Sequence, residues 1–176
     1  MHVCNKCVMP ETSESLTFDN EGVCSVCRQI EFKQTGIDWE AKRAELEKIV
    51  ADTRGKYDYD CIVPFSGGKD STFTLLYLVK DMGLKPLVVR FDHGFMRPTL
   101  QDNAHKTFRT LGVDVQHFTP NWQVVRKLML EALRRRGDFC WHCHTGIFSY
   151  PMWVALEKKV PLVIWGEPSS EYSSFY

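Results

Sequence analysis

The stretch YDYDCIVPFSGGKDSTFTLL, residues 57–76, decides how the rest of the chain is read. Its run CIVPF (61–65) is short and apolar, the pattern of a buried strand. Gly67 and Gly68 follow at once, and STFTLLYLVKDM then reads as a helix closed by Gly83. Two adjacent glycines let main-chain N–H groups approach an anion, and the following helix offers it a positive end. Ser66 and Ser71 add hydroxyl donors and Lys69 adds a charge. Asp70 suits such a cradle only if a cation or the helix N-terminus offsets it. The loop is not a Walker A motif: Val63 stands where its first glycine belongs, and Asp70 stands where Ser or Thr follows the lysine. It also lacks the G-x-G-x-x-G spacing of dinucleotide folds.

Outward from this loop, strand and helix signals alternate. PLVVRF (86–91) and VDVQHF (113–118) read as strands, and PLVIW (161–165) as a fourth. Between them lie a helix from Pro98 to Gly112, a second in NWQVVRKLMLEALRRRG, and a third in PMWVALEKK (151–159). The fold class expected is α/β, a Rossmann-like doubly wound parallel sheet. Such sheets bind ligands beyond the carboxyl ends of their strands. That places Phe91 and Asp92, with His93 and Gly94, and also Gly166 and Glu167, around one crevice. Glu167 is read either as a magnesium or nucleophile-orienting carboxylate or as a solvated turn residue. The chain stops soon after the fourth strand, so the sheet is expected to be cut short.

Three segments are expected: a knuckle over 1–36, a linker helix over 37–56 with Asp38 as its cap, and the α/β domain over 57–176. The chain carries 22 basic and 22 acidic residues, which gives no electrostatic reason to expect a nucleic-acid or membrane surface. No apolar run approaches the about 20 residues of a membrane span, and a cytoplasmic protein is the expectation.

Seven cysteines include three C-x-x-C pairs, a pattern of metal binding or thiol chemistry rather than of disulfide stapling. Cys4-x-x-Cys7 and Cys24-x-x-Cys27, 16 residues apart, have the spacing of a structural four-thiolate zinc site. The third pair, Cys140 and Cys143, stands among His142 and His144 and leaves three readings open: half of a metal or iron–sulfur site, a redox or catalytic thiol pair, or packed thiols. Cys61, inside an apolar strand, reads as core.

SGGKDS, between its strand and helix, closely resembles the pyrophosphate loop of the ATP-pyrophosphatase (PP-loop) superfamily, of the adenine nucleotide alpha-hydrolase-like fold. The resemblance implies ATP and magnesium, with Ser66 to Ser71 gripping the β and γ phosphates. An oxygen nucleophile then attacks the α phosphate, giving an adenylated substrate and pyrophosphate. Four segments in order, CNKCVMPETSESLTFDNEGVCSVC, YDCIVPFSGGKDS, GDFCWHCHTGIF and IWGEPSSEY, further resemble the N-acetyl sugar amidotransferases (the WbpG and PseA type) of lipopolysaccharide and flagellin-glycan biosynthesis. That resemblance implies conversion of an acetamido group on a nucleotide sugar to an acetamidino group, with ammonia from a separate glutaminase subunit. Lys69, Asp70, Cys140, Cys143 and Glu167 are the catalytic candidates under it, and a homo-oligomer is left open. Members of that family are considerably longer than 176 residues.

The runner-up is a PP-loop tRNA thiolation enzyme, whose relatives also combine cysteine knuckles, S-G-G-K-D-S and a later C-x-x-C able to ligate an iron–sulfur cluster. Zero net charge counts against it, because tRNA binding needs a basic surface. A zinc-stabilised nucleotide-binding fragment without catalysis is the third reading.

Overall fold

A computed structural model describes residues 2–12 and 16–167. The PSSEY end of the IWGEPSSEY segment and residues 13–15 of the opening segment lie outside the described residues. The chain divides into two compact units, one running to Glu47 and the other starting at Lys48.

In the first unit each cysteine hook has its own short antiparallel bridge, Val3 to Pro10 and Phe18 to Cys24, and the Asn5 N–H donates to Gly22 across the two hooks at 3.1 Å. Asp19 closes the turn of the second hook, its carboxylate accepting the N–H groups of Glu21 (3.0 Å) and Val23 (2.9 Å). The interior is small: Cys4, Val23 and Cys24 are buried, with Leu16, Phe18 and Cys27 against them. Helix α1 (Ser25–Thr35) starts immediately after Cys24 and buries none of its residues. Apolar periodicity could not reveal such a helix. Helix α2 (Trp39–Ala51) is capped as the sequence predicts, the Asp38 carboxylate accepting the Ala41 N–H at 2.9 Å.

The second unit continues with β1 (Cys61–Pro64), α3 (Lys69–Lys80), β2 (Pro86–Phe91), α4 (Pro98–Leu111), β3 (Asp114–Phe118), α5 (Trp122–Arg136) and α6 (Trp141–Lys158). The strands form a parallel sheet in the order β1-β2-β3, with Ile62 beside Leu87 and Arg90 beside His117. The expected fourth strand is reduced to a bridge on the free side of β1. There the Ile62 N–H donates to Leu162 (2.8 Å) and the Ile62 carbonyl accepts from Ile164 (2.9 Å). The chain thus lays down three strands in one direction and returns to the opposite side of the first. This reversal is the topological switch point at which doubly wound sheets open a crevice.

All four residues of β1 are buried, as its central place requires. On one face Ile62, Leu87 and Val89 pack with Val154, Ala155 and Val160 at the end of α6. The opposite face is covered by α3 and α4. Cys61 belongs to this core, and burial pushes its thiol up to about 12. Asn121 caps α5 through the N–H of Gln123 (2.9 Å), and Gly112 and Gly137 end α4 and α5 in left-handed conformations.

One boundary differs from the sequence reading. The cysteine–histidine segment before PMWVALEKK is the first part of a single 18-residue helix, α6, which continues through Pro151. Proline in a helix interior forfeits a hydrogen bond and normally ends the helix. Here Pro151 is fully buried, and the residues on both sides of it, Tyr150 and Val154, pack on the sheet. Tertiary packing overrides the local signal.

Asp60, buried just before β1, accepts the N–H groups of Gly55 and Lys85, each at 2.7 Å, and so ties the approach to β1 to the start of β2. Asp60→Ala leaves both donors without their partner and should lower stability by about 1–3 kcal/mol. A urea midpoint equal to that of the parent chain would contradict this role.

Candidate functional site

The Phe65 N–H donates to Val89 at 3.0 Å, which holds the chain to β2 until the residue before the loop. The chain then leaves the sheet at Ser66 and turns at Gly67, whose φ of +86° a residue with a Cβ rarely adopts. Ser66 and Ser71, read from the sequence as phosphate donors, also brace the loop: their hydroxyls lie 3.1 Å apart and Ser66 Oγ accepts the Gly68 N–H at 3.3 Å. The Gly68 carbonyl is held by Thr72, from its N–H at 3.1 Å and its hydroxyl at 2.8 Å. Helix α3 starts on this base, and the N–H groups of its first turn have no acceptor within the helix. Lys69 extends with 91% of its side chain exposed, 3.5 Å from Asp70 Oδ1. A cleft of about 410 Å³ opens beside the loop, lined by Gly67, Gly68, Lys69 and Thr72, and by Asn103 and Thr107 of α4. The last three of these were not singled out in the sequence. The signal available for Asn103 and Thr107 is their four-residue spacing, which sets both on one helix face.

The returning segment closes the other side. A Cβ at Gly166 would stand 2.9 Å from the Cα and 3.0 Å from the N of Ser71, so the two main chains touch. Gly166 therefore joins Ser66, Gly67, Gly68, Lys69, Asp70 and Ser71 in one place, and Glu167 follows it, exposed. Phe91 and Asp92 end the neighbouring strand. The Phe91 ring is engaged in packing: it presses on Gly146 of α6 and stacks with Phe118 at 5.9 Å. Asp92 donates its N–H to Phe118 (2.8 Å) and accepts the Gly94 N–H on its carboxylate (2.9 Å), capping its own turn.

Cys140 and Cys143 start α6, where Asp138 accepts the Cys140 N–H at 2.8 Å. Phe95, just past β2, meets Phe139 and His142 edge-on at 6.2 and 6.4 Å. The pair thus lies at the carboxyl end of the sheet, as the loop does. Burial first, and then the Cys140 thiol, push Cys143 up to about 12. As it stands Cys143 is a thiol at neutral pH, not the thiolate that attacks or ligates. His142 is buried with neither ring nitrogen hydrogen-bonded among the described residues.

In the other unit the sulfurs of Cys4, Cys7, Cys24 and Cys27 all lie within 4.8 Å of one another. Cys4 Sγ is 3.9 Å from Cys27 Sγ, and Cys7 Sγ is 3.6 Å from Cys24 Sγ. Four thiolates about 2.3 Å from one tetrahedral ion stand about 3.8 Å apart, so this set fits a single four-coordinate ion. Thiolates on the separate irons of a cubane cluster stand further apart. The Cys24 N–H, 3.3 Å from Cys4 Sγ, is the main cause that lowers the Cys4 thiol to about 6, whereas the Cys7 thiol leads in pushing Cys27 up to about 12. Four sulfurs this close ionise together only around a cation.

No known family model matches the chain. It is 27% identical over 144 residues to an uncharacterised protein of Methanocaldococcus jannaschii, an alignment covering 80% of this chain and 50% of that one. It is 31% identical over 85 residues to a glutamine-hydrolysing GMP synthase of Pyrobaculum aerophilum, covering 48% of this chain and 17% of that enzyme. Among solved structures it is similar to the U34-tRNA thiolase NcsA of Methanococcus maripaludis with its 4Fe-4S cluster, at 17% identity and a TM-score of 0.46, covering 94% of this chain and 54% of that one. The chain spans half or less of the length of the curated relatives it matches.

Replacing one knuckle sulfur should release the ion. Cys24→Ser is expected to lose bound metal, measured by plasma mass spectrometry after gel filtration, and to expose the first unit to limited proteolysis. A full equivalent of metal retained by that variant would count against a four-thiolate site.

Proposed function

We propose that this chain is the ATP-using part of an adenylating enzyme of the PP-loop kind. The main-chain contact of Gly166 on Ser71 carries this reading, because it sets a glycine loop and a helix start at the switch point of a parallel sheet. The diphosphate tail of ATP lies against the amides of Gly67 and the first turn of α3, and Lys69 reaches it with its exposed ammonium, exchanging its contact with Asp70. Asp70 and Glu167 are the carboxylates that would hold magnesium there, and the ion would spread the charge of the departing pyrophosphate.

The substrate we favour is an N-acetylated nucleotide sugar, and the product its acetamidino derivative. The acetamido oxygen attacks the α phosphorus, the bond from that phosphorus to the bridging oxygen breaks, and pyrophosphate leaves with the electron pair. The amide N–H proton is lost to give an O-adenylated imidate. Ammonia from a separate glutaminase adds to the imidate carbon and AMP departs. Two observations support amidation: the cysteine-rich opening segment, and a relative whose name is that of a glutamine-hydrolysing synthase. None of the three matched proteins is described as acting on a sugar, so the substrate to be adenylated rests on the resemblance of the quoted segments. Zinc is the ion we assign to the knuckle, with a structural role, since four sulfurs fill its coordination and leave no position for water. Seven free cysteines accord with work in a reducing compartment such as the cytoplasm.

A second reading, thiolation of tRNA, is favoured by one observation. The Cys140–Cys143 pair lies at the same end of the sheet as the loop, beside the orphaned His142 ring. The balanced charge of the chain opposes it.

The two readings separate on one labelled atom. With a nucleotide sugar carrying ¹⁸O in its acetamido group, ATP and ammonium, the heavy oxygen should appear in AMP. Lys69→Ala should reduce that transfer by about a hundredfold or more while the chain stays folded. Pyrophosphate release that responds to tRNA and never to the sugar would overturn the amidation reading.

A further inference from the structure

Arg90 is 4% exposed, yet no carboxylate among the described residues pairs with it within 4.0 Å. Its Nη2 donates to the Met96 sulfur at 2.8 Å, and its guanidinium stands 5.8 Å from the centre of the Phe108 ring. A thioether and an aromatic face are weak partners for a buried cation, whose desolvation calls for an anion. The cost is visible in the group itself, since burial pulls the Arg90 guanidinium below its ordinary value.

The surroundings add a second guanidinium and two imidazoles. Arg90 pairs in register with His117 of β3, and the two side chains emerge on the α4 face of the sheet. From α4, His105 and Arg109, four residues apart, reach the same cleft, and Phe108 and Val115 form its apolar walls. The cleft measures about 370 Å³. No acidic residue among the described residues lines it. The carboxylate that acts on both Arg90 and His117 is Asp92, which is engaged by the Gly94 N–H. One buried guanidinium held in place, with a second guanidinium and two imidazoles at exposed positions around it, matches the several oxygens of a phosphoryl group better than it matches any neutral ligand. Ala104 and Phe108 of α4 are buried in the core, so this cleft and the one beside loop 66–71 open on different sides of that helix.

We propose that the cleft between α4 and β3 is a second anion site, separate from loop 66–71, that binds a phosphoryl group through Arg90, Arg109, His105 and His117. The volume exceeds that of one phosphate, and the walls formed by Phe108 and Val115 would receive the carbon part of a phosphate monoester.

Isothermal titration of the full chain with phenyl phosphate and with inorganic phosphate, at constant ionic strength, tests this. One ion should bind in this cleft, and Arg109→Gln and His117→Gln should each weaken that binding about tenfold, the loss of one polar contact. Lys69→Ala should leave binding in this cleft unchanged, since Lys69 lines the other cleft. Tighter binding of phenyl phosphate would identify an organic phosphate as the ligand, and equal binding of both would identify the free ion. Arg90→Met should abolish the binding. If that variant does not fold, the two rim variants, both at exposed positions, decide the matter. Absence of binding, or binding that Lys69→Ala removes and Arg109→Gln does not, would overturn the proposal.

Discussion

The second unit is organised around a contact between two main chains. Segment 162–164 can lie beside β1 and still reach past it only if residue 166 has no side chain, because Ser71 stands where a Cβ would go. The contact fixes the start of α3 against the sheet. The N–H groups of that first turn have no acceptor inside the helix, and a polar donor held in a fixed place is costly to leave unpaired. An anion is the natural partner, and the helix end adds its own positive field. Lys69 contributes reach and charge. The loop's serines and Thr72 contribute shape, by tying down the Gly68 carbonyl and the Ser66 turn.

The knuckle is stabilised on a different basis. Its interior holds few apolar residues and α1 buries none, so apolar burial alone cannot account for an ordered segment there. Four sulfurs at tetrahedral spacing supply what the core lacks, and the Asp19 turn and the Asp38 cap set the chain on either side of them. An ion at that spacing would contribute folding free energy directly, as in other small metal-built modules.

Much of this was legible in the sequence. Strand, glycine loop and helix gave the parallel architecture because buried strands and helix ends leave local signals, seen in Cys61–Pro64, Gly112 and Gly137. The cysteine spacing gave the four-sulfur cluster. What stayed hidden depends on tertiary contacts. The continuation of α6 through Pro151 is a packing effect, and α1 has no buried face to read. Phe91 reads as a crevice residue from its place at a strand end, yet its ring is spent on Gly146, a close approach that no local pattern announces. Arg90 is not singled out within the strand PLVVRF, and only the fold brings His105, Arg109 and His117 around it. The described residues of the crevice show donors for an anion, and the substrate to be adenylated is named from the resemblance of the quoted segments.

The central claim is that the loop holds the departing diphosphate while reaction occurs at the α phosphorus. Phosphorus NMR of a turnover mixture reads this directly, because the two modes of cleavage give different products. The account predicts AMP and pyrophosphate in equal amounts, with no ADP. Accumulation of ADP and inorganic phosphate would contradict it, since the loop would then be holding the group that is transferred.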